Sequence, residues 1–579
     1  LGRKQIYFCE EETEMLRKRF AHVFGGVLSI FRGGSALTLA RFGRLSVAVG
    51  VAAFLAVAVG LVWSQSAGSA PSIRIVPPDR SVFAVGQRFD LRVEATGVSG
   101  ENASLLVWLN GVQLDKLPGV KPVTTTGPGW IAVTVRDMEY SKPARVSVLA
   151  QLRSDSGLVA SALSSFEVVD LQGPGQPVKN VILMIGDGMG LAHRTAARTV
   201  AKGLYSGRFN GLLEMDSMDA FGIVFTPSLN SFVTDSANGA SVYAGGNKTD
   251  NGALCVWPDN TDDDPLDNPR FENIMSYLKR MRGMATGVVS TASLADATPA
   301  AFLAYCYKRG EAEKIVGQYP AAGVDVLLGG GKKWFLPTSE GGSRTDGRNI
   351  LEEFRRAGYA CVTSAEGLNK LPRSVKRCLG LFADGDMDTY VDRVKAGNFA
   401  QPSLPDMTEA AIEILSRHPR GFILMVESAS IDKVAHKGDA HRAIWETIEF
   451  DRAVGVAKRF AKSRGDTLVI VTADHETGGM ALRALGGDPR ALEIGWGSAR
   501  STGPFVAKAP APDGGGMAEP PENPFELPQI STNHTASDVV LSAYGAGAQE
   551  FVGAMDATEV FLRILRVIYA GKAVGHGNK

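Results

Sequence analysis

The chain has 579 residues, more than one core usually organises, and its 61 basic and 61 acidic side chains cancel to zero net charge. That balance argues against a nucleic-acid-binding protein and leaves no acidic tail. Five cysteines with no C-x-x-C spacing exclude a disulfide-built scaffold or zinc knuckle, while 45% hydrophobic residues suffice for a large core.

Residues 1–44 are basic and polar, with Arg32, Arg41 and Arg44 leading into an apolar run. Residues 45–63, LSVAVGVAAFLAVAVGLVW, carry no charge and match the length of a membrane span. Small residues at 64–70 follow, of the kind a signal peptidase cleaves after. A cleaved signal and a retained inner-membrane anchor are both open, and either exports the remainder. A buried core helix is the plainer alternative, but the segment has no polar face.

Residues 72–170 hold short alternating segments rich in Val and aromatics, among them FDLRVEATG, ASLLVWLNGV and ARVSVLAQLRS, separated by Gly, Pro or Asn. This spacing predicts an immunoglobulin-like β-sandwich without the inter-sheet disulfide, read as a spacer or adhesive module of unknown partner. Residues 171–177, rich in Gly and Pro, read as a linker.

From residue 178 to about 575 the texture is α/β. Strands are predicted at 181–185, 285–290, 324–328, 422–426 and 468–472, with helices such as 407–417 and 445–460 between them. The alternation predicts a mostly parallel central sheet with helices on both faces. Residues 486–529, rich in Gly and Pro, read as a surface insertion.

The chemistry falls at the strand ends. Residues 181–185 run into Asp187, and 285–290 lead to Asp296 and Thr298. Residues 422–426 end at Glu427, followed by Asp432, Lys433 and His436, and 468–472 run into Asp474 and His475. Ligands of open α/β sheets bind at this edge. Asp432 and His436 share a helical face at i, i+4. Asp–His sets suit zinc, and a carboxylate–hydroxyl–carboxylate set suits magnesium. Each residue alone has a blander reading as a turn or cap residue; the argument is their convergence. In FVTDSANGASVYAGG (232–246), Ser236 opens a small-residue helix. It is there either as a cap, with Asp235, or as a nucleophile beside free helix amides.

The segments NVILMIGDGMG (180–190), VTDSA (233–237), DATPA (296–300), VESASIDK (426–433), VTADHET (471–477) and HT (534–535) resemble, in order, those of the alkaline phosphatase family. The resemblance covers residues 178 to about 571. It implies hydrolysis of small phosphate monoesters through a phosphoserine at Ser236. It also implies one zinc on Asp432, His436 and His534, and a second on Asp187, Asp474 and His475. Magnesium would take Asp187, Thr298 and Glu427, with Asp296 acting through water. Arg309, thirteen residues after Asp296, would clamp phosphate, and Lys433 paired with Asp296 marks a bacterial-type site. Asp235 would cap the turn and orient Arg309. Tyr305 departs from the histidine many members carry. The resemblance further implies a homodimer, and the apolar run 45–63 a periplasmic or cell-surface place. Alternatives are a phosphodiesterase or sulfatase on the same scaffold, or a non-enzymatic surface binding protein. No Cys stands in C-x-P-x-R, against the sulfatase, and no ligand is missing, against a vestigial site. Proximity in sequence suggests Cys255–Cys306 and Cys361–Cys378 as disulfides.

Overall fold

The computed structural model describes residues 70–98, 102–155, 157–261, 264–484, 491–497, 505–508 and 532–571. The basic segment 1–44 and the apolar run 45–63 lie outside these residues, as does most of 486–529. Among the described residues no helix is long and apolar enough to cross a membrane. The described residues from Pro71 onward form one unit.

Nine strands build the sandwich: β1 (Ser72–Val76), β2 (Ser81–Ala84), β3 (Phe89–Thr96), β4 (Ser104–Leu109), β5 (Val112–Gln113), β6 (Val123–Gly127), β7 (Trp130–Met138), β8 (Ala144–Ser154) and β9 (Gly157–Val169). They form sheets ordered β1-β3-β7-β6 and β2-β9-β8-β4-β5. Alternation along β8, where Val146, Val148, Ala150 and Leu152 turn inward, supplies the core of this immunoglobulin-like layer pair.

The second layer system is a ten-stranded sheet. Its strands are β10 (Asn180–Gly186), β11 (Ala220–Phe225), β12 (Ala285–Ser293), β13 (Val326–Gly330), β14 (Ala360–Val362), β15 (Cys378–Leu381), β16 (Phe422–Ser428), β17 (Thr467–Thr472), β18 (Val539–Gly545) and β19 (Gly553–Asp556). The spatial order is β14-β15-β13-β12-β16-β10-β17-β18-β11-β19. Every pairing is parallel except those of β18, which runs against β17 and β11. Strands β10, β16 and β17 are buried throughout, as a parallel sheet covered on both faces requires. The predicted strand at 324–328 sits two residues later, the helix expected at 407–417 is shifted to Leu404–Leu415, and that at 445–460 lengthens to Ala440–Arg464. Side-chain caps move the starts: Ser403 accepts from the Asp406 N–H, and Asp439 from that of Arg442.

Two expected segments gain detail and one expectation changes. Residues 171–177 carry contacts of their own: Leu171 is buried, and the Gly571 N–H donates to the Gly173 carbonyl. Part of 486–529 is regular, because Met480–Ala484, Ala491–Trp496 and Phe505–Lys508 form an antiparallel sheet whose short strands carry too little periodicity to read. The four described cysteines are free. Each guessed pair is one residue out of register. Cys378 lies opposite Ala360 and Cys361 opposite Leu379, while Cys306 bridges Leu254 and not Cys255.

The sandwich is fused to the α/β region through an interface of paired groups. Gln87 Nε2 donates to the carbonyls of Gly245 (2.9 Å) and Glu272 (3.0 Å). Asn247 exchanges two hydrogen bonds with the Val82 backbone, and the Tyr277 hydroxyl donates to the Val85 carbonyl. Phe83 packs edge-on against Trp257, which tilts against Phe271.

Candidate active site

Helix α1 (Ser236–Gly245) is buried along its whole length and joins the two layer systems. Its C-terminal carbonyl at Gly245 rests on Gln87 of the sandwich. Its N-terminus opens at the carboxyl edge of the sheet. A side chain at Gly239 would meet Asp474 Cβ at 2.8 Å, so glycine here lets the helix lie directly on the loop after β17. Gly188 has φ +72°, and a Cβ there would strike Thr477 and Asp432. That glycine lets the loop after β10 reach the same point.

Ser236 is buried, with Oγ 3.1 Å from His475 Nε2. Asp235 is the N-cap: its Oδ1 accepts from the Asn238 N–H, and its Oδ2 receives Arg309 Nη1 at 3.1 Å. The other arm of Arg309 reaches Asp296 Oδ1 at 3.0 Å. Lys433 Nζ lies 2.6 Å from Asp296 Oδ2 and 3.3 Å from Asp386 Oδ2. Burial would raise the Asp296 carboxyl, but Lys433 and then Arg309 pull it down to about 2.

Three histidines converge. His534 Nδ1 faces the Thr234 carbonyl at 2.9 Å, and His436 Nδ1 the Thr532 carbonyl at 2.6 Å. A carbonyl only accepts, so each Nδ1 carries the proton and each Nε2 presents a lone pair. Thr477 Oγ1 gives its proton to Asp432 Oδ1 at 2.5 Å, and so accepts from His475 Nδ1. All three Nε2 atoms therefore present a lone pair to the cluster, that of His475 toward Ser236 Oγ. Those of His436 and His534 are 3.0 Å apart, and Asp432 Oδ1 lies 3.3 Å from the first and 3.5 Å from the second. Such second-sphere donors are what orients histidine ligands at metal sites.

The ligand atoms of Asp432, His475 and His534 lie within 4.8 Å of one another, as do those of Asp187, Asp474 and His475. Asp187 Oδ1, Asp474 Oδ2 and Thr298 Oγ1 are buried with no hydrogen-bond partner. Burial, then Asp474, Asp432 and Glu427, drives the Asp187 carboxyl well above its ordinary range. Burial also lifts Glu427 to about 8, although Ser290 Oγ donates to it at 2.5 Å. Orphaned oxygens and excess negative charge are the signature of a cluster built for cations. The donor sets fit two nitrogen-and-oxygen sites for zinc and an oxygen site for magnesium.

The cavity in front of these groups is open, about 550 Å³, and reaches Ser236, Arg309, Lys433, His436 and His534. The sequence reading missed Thr477, Glu476 and Asp386. Thr477 orients both Asp432 and His475. Glu476 accepts from Thr535 Oγ1, tying the short strand Glu476–Thr477 to His534–Thr535. Proximity to Asp474 and His475 could have flagged the first two. Nothing local marks Asp386. Tyr305 belongs to the packing: its hydroxyl accepts from the Asn273 N–H and its ring lies under Arg270.

A mostly parallel sheet whose carboxyl edge gathers such a cluster beside a helix-borne serine and an arginine defines a metal-dependent hydrolase of anionic esters. The family model described as alkaline phosphatase matches residues 178–494. The chain is similar to the alkaline phosphatase of Escherichia coli (strain K12), 37% identical over 432 residues, 67% of this chain and 85% of the relative. It is also similar to the streptomycin-6-phosphate phosphatase of Streptomyces griseus, 34% identical over 450 residues, 70% of this chain and 93% of the relative. Among solved structures, the alkaline phosphatase of the Antarctic bacterium TAB5 aligns with TM-score 0.52 and 29% identity, over 69% of this chain and 99% of that one. The chain belongs to the alkaline phosphatase family, and it is a phosphate monoester hydrolase.

Proposed function

We propose that hydrolysis runs through a phosphoserine at Ser236, with Asp432, His436 and His534 holding one zinc, Asp187, Asp474 and His475 a second, and Asp187, Thr298 and Glu427 a magnesium, Asp296 acting beside it through water. The observation that carries this reading is Ser236 Oγ, 3.1 Å from His475 Nε2 at a helix N-terminus, with Arg309 held beside it through the Asp235 cap. Bound there, the ions would lower the pKa of the attacking hydroxyl and neutralise charge on the departing oxygen. Arg309 offers a planar fork to two phosphoryl oxygens. The first amides of α1 add fixed dipoles toward the same charge. Ser236 Oγ forms a bond to phosphorus as the ester P–O bond breaks; the alcohol leaves through the open cavity. Water then attacks phosphorus, the Oγ–P bond breaks, and serine and inorganic phosphate are released. The cavity in front of Ser236 is open, so a broad range of monoesters is expected.

Acid quench of the metal-replete protein with radiolabelled phosphate tests the intermediate. Label should reside on Ser236 and vanish in Ser236→Ala; equal labelling of that variant overturns the assignment. Turnover of a nitrophenyl monoester should exceed that of the matching diester and sulfate, and the reverse order would favour the sister activities.

A homodimer and an exported, periplasmic or cell-surface place belong to the same proposal. Phe221, Ile223 and Phe225 point outward along β11 while its alternate residues are buried, which supports an apolar contact between copies. Sedimentation of Ile223→Glu, expected to be monomeric against a dimeric parent, tests it. The uncharged run 45–63 supports export, and retention on inner membranes if uncleaved; fractionation of cells decides between the two.

A further inference from the structure

Asp386 lies outside every ligand set described above, yet it reaches the phosphate pocket. It sits on the loop after β15, and that loop is pinned on both sides. The Gly331 N–H donates to the Gly385 carbonyl at 2.7 Å, and the Met387 N–H to that of Thr291 at 2.9 Å. Asp386 Oδ1 accepts from the Ser293 N–H at 2.8 Å, which leaves Oδ2 facing Lys433 Nζ at 3.3 Å. The carboxylate is thus fixed by backbone from two neighbouring strand ends.

Lys433 is shared as a result. An ammonium has three donors. Asp296 Oδ2 takes one at 2.6 Å and Asp386 Oδ2 a second, leaving one for an incoming anion. Asp296 is itself committed, since its Oδ1 receives both Arg309 Nη2 and the Ala297 N–H. Asp386 is therefore the contact of Lys433 that can change without disturbing Arg309.

We propose that Asp386 is a positioning residue that holds one Lys433 donor away from the phosphoryl group and so keeps inorganic phosphate from being retained after hydrolysis. The inference rests on the phosphatase reading of this pocket. A pocket with Arg309, Lys433 and cations at one point binds dianionic product as readily as substrate, and a carboxylate opposite the lysine weakens that hold.

The test uses the metal-replete full chain, with Asp386→Asn, Lys433→Ala and the double variant. Calorimetry reads the affinity for inorganic phosphate, and steady-state kinetics on nitrophenyl phosphate separate KM from kcat. Asp386→Asn should tighten phosphate about fivefold, the scale of a partly exposed ion pair, and lower KM alike without raising kcat. Asp386→Glu, which keeps the charge, should lie between parent and Asn variant, and serves if the Asn variant does not fold. In the Lys433→Ala background the same substitution should change phosphate affinity by less than about twofold, because the two residues act as a pair. An unchanged affinity in Asp386→Asn overturns the proposal. So does an effect of equal size without Lys433, which would mean that the charge acts on the pocket directly. A parent that binds phosphate but turns over no monoester overturns the phosphatase reading instead.

Discussion

Two buried polar regions of this molecule treat their hydrogen bonds in opposite ways. At the seam between the sandwich and the α/β region, Gln87, Asp90 and Asn247 are buried, and each is hydrogen-bonded to backbone across the joint. At the carboxyl edge of the sheet, Asp187, Asp474 and Thr298 are just as buried, and each leaves an oxygen without a partner. A satisfied polar network specifies how two layers fit; an unsatisfied one needs something the chain does not contain. Helix α1 spans both, with the seam under its last carbonyl and the unsatisfied edge at its first turn.

The sharpest way to break that contrast is Ser236→Ala, which touches the unsatisfied end alone. Monoester turnover should fall by about 10⁴-fold with the melting temperature unchanged, in keeping with loss of a covalent nucleophile. A loss of folding instead would make Ser236 part of the scaffold. At the other end, Phe89→Ala removes a ring stacked on Phe83 in the sandwich core and paired by backbone with Phe271. It should cost about 3–5 kcal/mol in denaturant unfolding, while activity per folded molecule persists.

Chelation should act only at the unsatisfied edge. Removing bound ions should abolish turnover and lower stability by about 2–3 kcal/mol, the linkage expected of a ligand near a hundredfold above its dissociation constant. Zinc and magnesium together should restore both. In Asp474→Asn the chelator should shift the melting temperature less than in the parent, as one of the proposed zinc sets would already be impaired.

The smallest effect concerns a buried carboxylate of neither region. Glu446, in Ala440–Arg464, accepts from the Tyr390 N–H, but burial and then Glu449 hold its carboxyl up at about 8 against an ordinary 4.5. The folded protein thus keeps a proton that the unfolded chain gives up. Its contribution to stability is full below 4.5 and is lost as pH rises through 8. Glu446→Gln carries no such proton, so its melting temperature should gain on the parent as pH rises across that interval. A constant difference from pH 5 to pH 9 would mean that Glu446 is ionised throughout in the fold.

Much of the site was legible because ligand types cluster in short motifs at strand ends. Asp187, Glu427 and Asp474 each follow a run of apolar β-formers within two residues, and parallel strands deliver such ends to one edge. Asp386 was not legible. Its loop follows a four-residue strand near the sheet margin, and only the order β15-β13-β12-β16 carries it toward Lys433. The disulfide guesses failed for a similar reason, since nearness along the chain says nothing about register.

The sequence by itself determined the layers, the candidate ligands and the helix that begins at Ser236, because periodicity, cap residues and motif chemistry are local properties. Tertiary structure alone decided that the sandwich is welded to the end of that helix, that every converging histidine donates a hydrogen bond from Nδ1 and turns Nε2 to the cluster, and that Lys433 is shared by two carboxylates. These are distances between residues far apart in the chain, set by how strands are ordered and how layers close, and no short stretch of sequence encodes them.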